Sequence, residues 1–235
     1  GTVTGTTSEV ATTYEITRDS VTGEIIEAKG PTAQHPTQPS TVEAKAGYKF
    51  DKWTDNAGNS FNDDTALKAA SYLEDQTFTA YFTATEQTYK VKYLDEDTDA
   101  EIHDMSDPRD AHFGDEIKGY TEKIDISGYT FVKADDLTVG TDNEKNIVNV
   151  YYSEDTNHDN IPDKYQITFT YVTADANKGT VTGTTSEVAT TYEITRDSVT
   201  GEITVGNGPT AQHPTQPSTV EAKAGYKFDK WTDNA

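Results

Sequence analysis

Apolar and polar residues alternate with a period of two along much of this chain, the pattern of strands that bury one face. The run 10–16 (Val-Ala-Thr-Thr-Tyr-Glu-Ile) and the run 77–83 (Thr-Phe-Thr-Ala-Tyr-Phe-Thr) are both of this kind, and in the second Phe78, Ala80 and Phe82 share a face. Longer alternation at 89–94 and 147–152 lines up Tyr89, Val91 and Tyr93 on one side, and Val148, Val150 and Tyr152 on another. These two segments are expected to be central strands. Ile124, Ile126, Tyr129 and Phe131, around a turn at Gly128, supply the remaining apolar residues of that region. At one place the period changes to that of a helix. Asp63 or Asp64 can act as N-cap, followed by Ala66, Leu67, Ala70 and Leu73 at helical spacing. Turn-forming residues separate the strands at 19–23, in the proline-rich stretch from Pro31 to Pro39, and at 55–58. The fold class expected is β-rich α+β.

Self-comparison organises the chain further. Residues 1–57 recur at 179–235, an offset of 178, with 53 of 57 positions identical. The four differences are contiguous: Ile26, Glu27, Ala28 and Lys29 correspond to Thr204, Val205, Gly206 and Asn207. A solenoid unit is one supersecondary element of roughly 20–50 residues, so this period is too long for one and holds small domains in series. The expected division is a first module over 1–87, a second over 88–153, an acidic link over 154–164, and the start of another first module over 165–235. No counterpart of the apolar run 165–172 precedes Gly1, and the second copy stops before the equivalent of 60–83. Each copy is therefore expected to leave a sheet edge open to pairing with another chain. Serial copying adds reach and avidity, which favours a stalk or an adhesin over an enzyme.

Charge narrows the partners. There are 41 acidic residues against 19 Lys and Arg, a net charge of −22, and the segment 91–153 alone carries 16 acids against 6 bases. Nucleic acid as a partner is disfavoured, because phosphate recognition needs clustered cations. The chain has no cysteine, which excludes disulfides, thiolate metal sites and a cysteine nucleophile. No apolar run approaches the ~20 residues of a membrane span, so no membrane insertion is expected. Nucleophile-elbow, phosphate-loop and zinc-protease signatures are absent, and the five histidines (His35, His103, His112, His158 and His213) lack metal-ligand spacing. No enzymatic activity is expected.

Two segments carry a family resemblance. Residues 47–53 (Gly-Tyr-Lys-Phe-Asp-Lys-Trp), repeated at 225–231 and followed by the strand at 77–83, resemble the internalin-type B repeat, or Listeria–Bacteroides repeat, over about 31–84. Tyr48 and Phe50 face one way, and a bulge near Asp51 and Lys52 brings Trp53 to the same core face. Core packing is the ordinary role of these aromatics and a ligand-stacking platform the other one. The stretch 89–152, with its acidic run 95–97, Gly114, Gly128, Tyr129 and the closing Val150, Tyr151 and Tyr152, is similar to a MucBP-type domain of bacterial mucus-binding proteins. Thr98 and Asp99 stand where that family usually has a glycine. The pairing resembles the two-part repeats of lactobacillal mucus-binding adhesins. It implies an elongated string of small β-grasp-like modules on a Gram-positive cell surface, extracellular and anchored to the cell wall. Host mucin, glycan or a surface protein is the implied partner. A passive stalk projecting a terminal binding domain, or an accessory module of a secreted glycan-degrading enzyme, are the alternatives.

The sharpest chemical motif lies in the link. Asp155, Asn157, Asp159 and Asp163 place oxygen-bearing side chains at positions 1, 3, 5 and 9 of a loop, with the carbonyl of Ile161 at position 7. That arrangement wraps a hard cation such as Ca²⁺. It resembles the aspartate-rich loops of EF-hands and thrombospondin type-3 repeats, except that Asn160 replaces the usual turn glycine and Gln166 takes the place of the bidentate Glu. A bound Ca²⁺ would stiffen the link.

Overall fold

The structure is a computed structural model and describes residues 1–5, 7–37, 41–215 and 219–233. The proline-rich stretch expected from Pro31 to Pro39 is therefore described as far as Thr37, and its last part lies outside the described residues. The chain is β-rich, with several small sheets. In chain order the first copy holds β1 (Thr2–Thr4), β2 (Glu15–Arg18), β3 (Ile25–Lys29), β4 (Thr41–Glu43), β5 (Tyr48–Thr54), β6 (Ser60–Phe61), the helix α1 (Asp64–Ala69) and β7 (Thr79–Ala84). There follow β8 (Glu86–Asp95), β9 (Glu101–His103), β10 (Arg109–His112), β11 (Glu116–Ile117), β12 (Tyr129–Ala134), β13 (Leu137–Thr138) and β14 (Ile147–Glu154). The last part holds β15 (Gln166–Thr170), β16 (Gly179–Thr182), β17 (Ser186–Thr190), β18 (Ile194–Arg196), β19 (Ile203–Val205) and β20 (Thr219–Ala222). Two compact units result. One comprises Gly1–Tyr89, Arg109–Asp115 and Thr138–Asn146, the other Lys90–Pro108, Glu116–Leu137 and Ile147–Ala235.

In the first unit β5 pairs antiparallel with β7, and the register slips between Phe50 and Lys52. This bulge at Asp51 does what the alternation required. Phe50 and Trp53 reach one side, with ring centroids 5.8 Å apart, and Phe82 of β7 meets Phe50 edge-on at 6.1 Å. Trp53 is buried, and its indole N–H donates to the Asp64 carboxylate at 3.1 Å. The aromatics of the 47–53 segment thus build core in this copy, except Tyr48, which stays largely exposed and lies edge-on to Phe113. Asp63 caps α1 by accepting the Ala66 N–H at 2.7 Å. The helix is shorter than its sequence pattern. Leu67 is fully buried, but Ala70 is already extended and Leu73 is exposed. The reason is Tyr72, which exchanges two backbone hydrogen bonds of 2.8 Å with Gln34 and donates its hydroxyl to Asp55. These bonds give the chain beyond Ala69 more than another helical turn would.

In the second unit β8 and β14 run parallel, with Val148 opposite Val91 and Val150 opposite Tyr93. β12 covers the outer edge of β14 and β9 pairs with β8. The period-two pattern converts directly into burial: Val91, Tyr93, Val148, Val150 and Tyr152 are all buried, with Phe131 and Val132 from β12. Edge-to-face contacts of Tyr152 with Phe131, and a tilted one with Tyr93, fill the space between these strands.

The repeat shows how much of a strand is context. In the second copy β15 pairs antiparallel with β17. The same residues in the first copy, 8–12, form no strand, and Val10 is 99% exposed where its equivalent Val188 is 43% exposed. The strand expected over 10–16 is therefore corrected to Glu15–Arg18 alone. A period-two pattern supplies a face to bury, but the backbone also needs a partner ladder, which β15 gives to β17.

Among the described residues one turn occurs three times. Asp19 accepts the N–H groups of Val21 and Thr22, Asp197 those of Val199 and Thr200, and Asp95 those of Asp97 and Thr98. These backbone donors hold the Asp19 and Asp197 carboxyls below the usual carboxylate range. The fifth residue of each turn is left-handed: Gly23 at φ +73°, Gly201 at φ +78° and Asp99 at φ +56°. The non-glycine at 99 thus adopts the glycine geometry, at a cost that glycine does not carry. Replacing Asp99 by glycine is expected to raise stability by about 0.5–1 kcal/mol, measured by urea unfolding; a lower urea midpoint would contradict this account of the turn.

Candidate functional site

The loop 155–163 follows β14 within the second unit. Asp155 is anchored by its own backbone, which donates to the Gly128 carbonyl at 2.8 Å, and its side chain is buried. Its two carboxylate oxygens accept the N–H groups of Asp159 (3.2 Å) and Asn160 (3.0 Å). Asn157 accepts from the Asp159 N–H, and Asp159 in turn accepts from the Ile161 N–H at 2.9 Å and from the Gln166 amide at 2.6 Å. Asp163 accepts from the backbone and hydroxyl of Thr156. His158 and Asn160 both take left-handed backbone, φ +61° and +68°, so Asn160 makes the turn that a glycine usually makes.

Asp155, Asn157 and Asp159 are thus drawn into one hydrogen-bonded knot with Ile161, while Asp163 closes the loop from the other end. The two Asp155 oxygens and Asp159 Oδ1 each accept one of these bonds and keep a second lone pair for a cation, whereas Asp159 Oδ2 and Asp163 Oδ2 accept two each and would have to give up a bond to coordinate one. Among the described residues no group of three or more His, Cys, Asp or Glu is placed to hold a metal ion. The donor set at this loop would have to include Asn157 and a backbone carbonyl, which is ordinary for Ca²⁺.

Two cations of the second unit organise the loop, and sequence spacing pointed to neither. Lys164 donates to Glu96 at 2.7 Å and to Asp97 at 2.8 Å, with Lys133 also near Glu96 at 3.7 Å. Burial pulls the Lys164 ammonium down, but the bonds to Asp97 and Glu96 outweigh it and leave its pKa raised. The segment expected as a link is in this way fastened to the acidic run 95–97.

Arg196, at the end of β18, donates to four oxygens: the carbonyls of Phe131 (3.0 Å), Gly201 (2.6 Å) and Asn160 (2.8 Å), and the Thr130 hydroxyl (3.0 Å). The planar guanidinium has five N–H donors in a fixed fork, which suits it to bridge three separate segments. Burial lowers its pKa and the neighbouring Asp155 carboxylate partly restores it. Around it lies a cleft of about 1060 Å³ lined by Lys123, Tyr129, Phe131, Tyr152, Asp155 and His158 among others. The one legible signal was scarcity: the chain has three arginines, and Arg18 and Arg196 are repeat equivalents.

Among the described residues no helix is long and apolar enough to cross a membrane. Comparison with known protein families and with curated proteins finds no match to this chain.

Proposed function

We propose that this chain is a non-catalytic repeat of a bacterial surface adhesin, extracellular and anchored to the cell wall, that contributes to attachment to host mucus glycans or proteins. The observation that carries this reading is the 178-residue period with 53 of 57 positions kept between copies. Both copies also build the same hairpin and turn: Gly23 and Gly201 donate to the carbonyls of Asp19 and Asp197 at 3.0 and 2.9 Å. Repetition multiplies a weak binding surface into avidity. The parallel pair β8 and β14, flanked by β12 and β9, supports a β-grasp-like module over the MucBP-similar segment, and the acidic surface suits a solvated extracellular chain. Surface plasmon resonance of one complete repeat, and of a multimer, over immobilised mucin glycans tests it. Saturable binding that strengthens with copy number is expected; a flat response from the multimer would sink the reading in favour of a passive spacer. One observation favours that spacer reading: Arg196 fastens the start of one module, and Lys164 the link before it, to the body of the preceding module, which suits a stiff stalk.

The loop 155–163 is proposed to take Ca²⁺ through Asp155, Asn157, Asp159, Asp163 and the Ile161 carbonyl. A ligand that binds only the folded chain stabilises it by about 1.4 kcal/mol at a free concentration ten times its Kd. Melting in Ca²⁺ is therefore expected to exceed melting in chelator, and Asp155→Asn to abolish the difference. Identical melting curves up to roughly 10 mM Ca²⁺, about ten times the weakest Kd of extracellular sites, would remove the proposal.

A further inference from the structure

The same hairpin occurs twice in this chain in two different settings. In the second copy, β18 and β19 with their turn lie on β12 and the 155–163 loop. Arg196 holds Phe131, Thr130 and Asn160, Lys123 donates to the Thr200 carbonyl at 2.7 Å, and Glu202 accepts the Ala134 N–H at 3.3 Å. The approach is close: a Cβ at Gly201 would come within 2.6 Å of the Lys123 ammonium. In the first copy β2, β3 and their turn are exposed throughout apart from Asp19, which is half-buried. Ile16 is 42% and Ile25 55% exposed, while their equivalents Ile194 and Ile203 are half-buried.

The turn and the arginine of the exposed hairpin are already in the docked conformation. Arg18 donates to the Gly23 carbonyl at 2.9 Å, as Arg196 does to Gly201. The turn bonds Asp19 to Glu24 and Asp197 to Glu202 measure 2.8 and 2.9 Å. Residues 15–25 and 193–203 are identical, so the first hairpin offers every group the second one uses. The four substitutions fall in the second strand. They move a bulge: in β2–β3 the register slips beside Ile26, whereas β18–β19 stay regular to Val205 and the extra residue is Gly206, whose N–H and neighbour Asn207 both bond Glu193. Both hairpins nevertheless bring Arg18 opposite Ile25 and Arg196 opposite Ile203.

We propose that the hairpin β2–β3 is a docking surface for a second copy of this chain's own 120–164 segment, in the pose that β18–β19 take in the second unit. In an array the module before each hairpin supplies that segment, so one arginine per period locks successive modules together. This rests on the tandem-array part of the adhesin reading and is independent of any glycan, so its failure and that of glycan binding are read separately.

The test extends the chain at Gly1 with residues 88–178, which reproduces the junction at Lys178 and Gly179. The readout is amide hydrogen exchange of the peptide 24–29, whose sequence differs from that of the second copy and is separable by mass. Exchange is expected to slow about tenfold or more in the extended chain relative to the unextended one. Arg18→Ala, and Arg18→Lys, which keeps the charge but loses the fork, should restore fast exchange. Equal exchange in the extended and unextended chains overturns the proposal, as does slowing that survives both substitutions. Arg196→Ala in the unextended chain is the parallel measurement: faster exchange of the peptide 202–207 supports the docking role, and unchanged exchange overturns it.

Discussion

Alanine at Trp53 is expected to destabilise the first unit by about 3–5 kcal/mol, the cost of emptying a large aromatic site in a packed core, whereas alanine at Trp231 costs less than about 1 kcal/mol. The two tryptophans sit in the same seven-residue segment, so intrinsic propensity is equal and only tertiary context differs. Trp53 is 2% exposed, donates to Asp64, and is covered by Phe50 and by the strand β7. Trp231 is 44% exposed and meets the rings of Tyr171 and Phe228 at 5.8 and 5.5 Å. Urea unfolding of both variants measures the difference. With two tryptophans in the chain, a Trp231→Phe background lets fluorescence follow Trp53 alone. Equal costs at the two positions would mean that the aromatic segment is stable by itself, without its covering strand.

That comparison also separates what the sequence could and could not reveal. Period two at 89–94 and 147–152 was sufficient to find β8 and β14, because both strands bury one full face in a single sheet and the pattern then has one solution. The bulge at Asp51 was legible too, since Phe50 and Trp53 could share a core only if the register slipped between them. The run 10–16 misled for a physical reason. Identical residues form β17 in one place and no strand in the other, so no local rule could assign both. In the candidate site, the oxygen spacing marked the loop 155–163 and Asn160 made its turn, but beyond its scarcity nothing in the sequence pointed to Arg196. Three of its four acceptors are the carbonyls of Phe131, Asn160 and Gly201, groups that every residue carries, and only the folded backbone brings them to one guanidinium.

Phenylalanine at Tyr152 is expected to cost about 1–2 kcal/mol near neutral pH and to change how stability depends on alkali. The hydroxyl donates to the Ile124 carbonyl at 2.8 Å and accepts the Ile124 N–H at 2.9 Å, so its removal leaves two backbone groups without their partner. The ring remains packed on Phe131 and Tyr93, which confines the loss to the polar end. Burial pushes the Tyr152 phenol up to about 12, helped by the nearby Tyr93 and Asp125, while the Ile124 N–H pulls the other way. An unfolded tyrosine ionises near pH 10. The folded value lies above the unfolded one, so the contribution of the neutral phenol is complete below pH 10 and is lost as pH rises from about 10 to 12, by about 2 kcal/mol. Wild type should therefore lose stability over that window more steeply than the variant, and the gap between them should narrow as pH rises. Urea midpoints at pH 7, 10 and 11.5 measure it. Parallel pH profiles would mean that Tyr152 ionises in the folded chain as readily as in the unfolded one, and that the contacts around Ile124 do not seal the phenol from water.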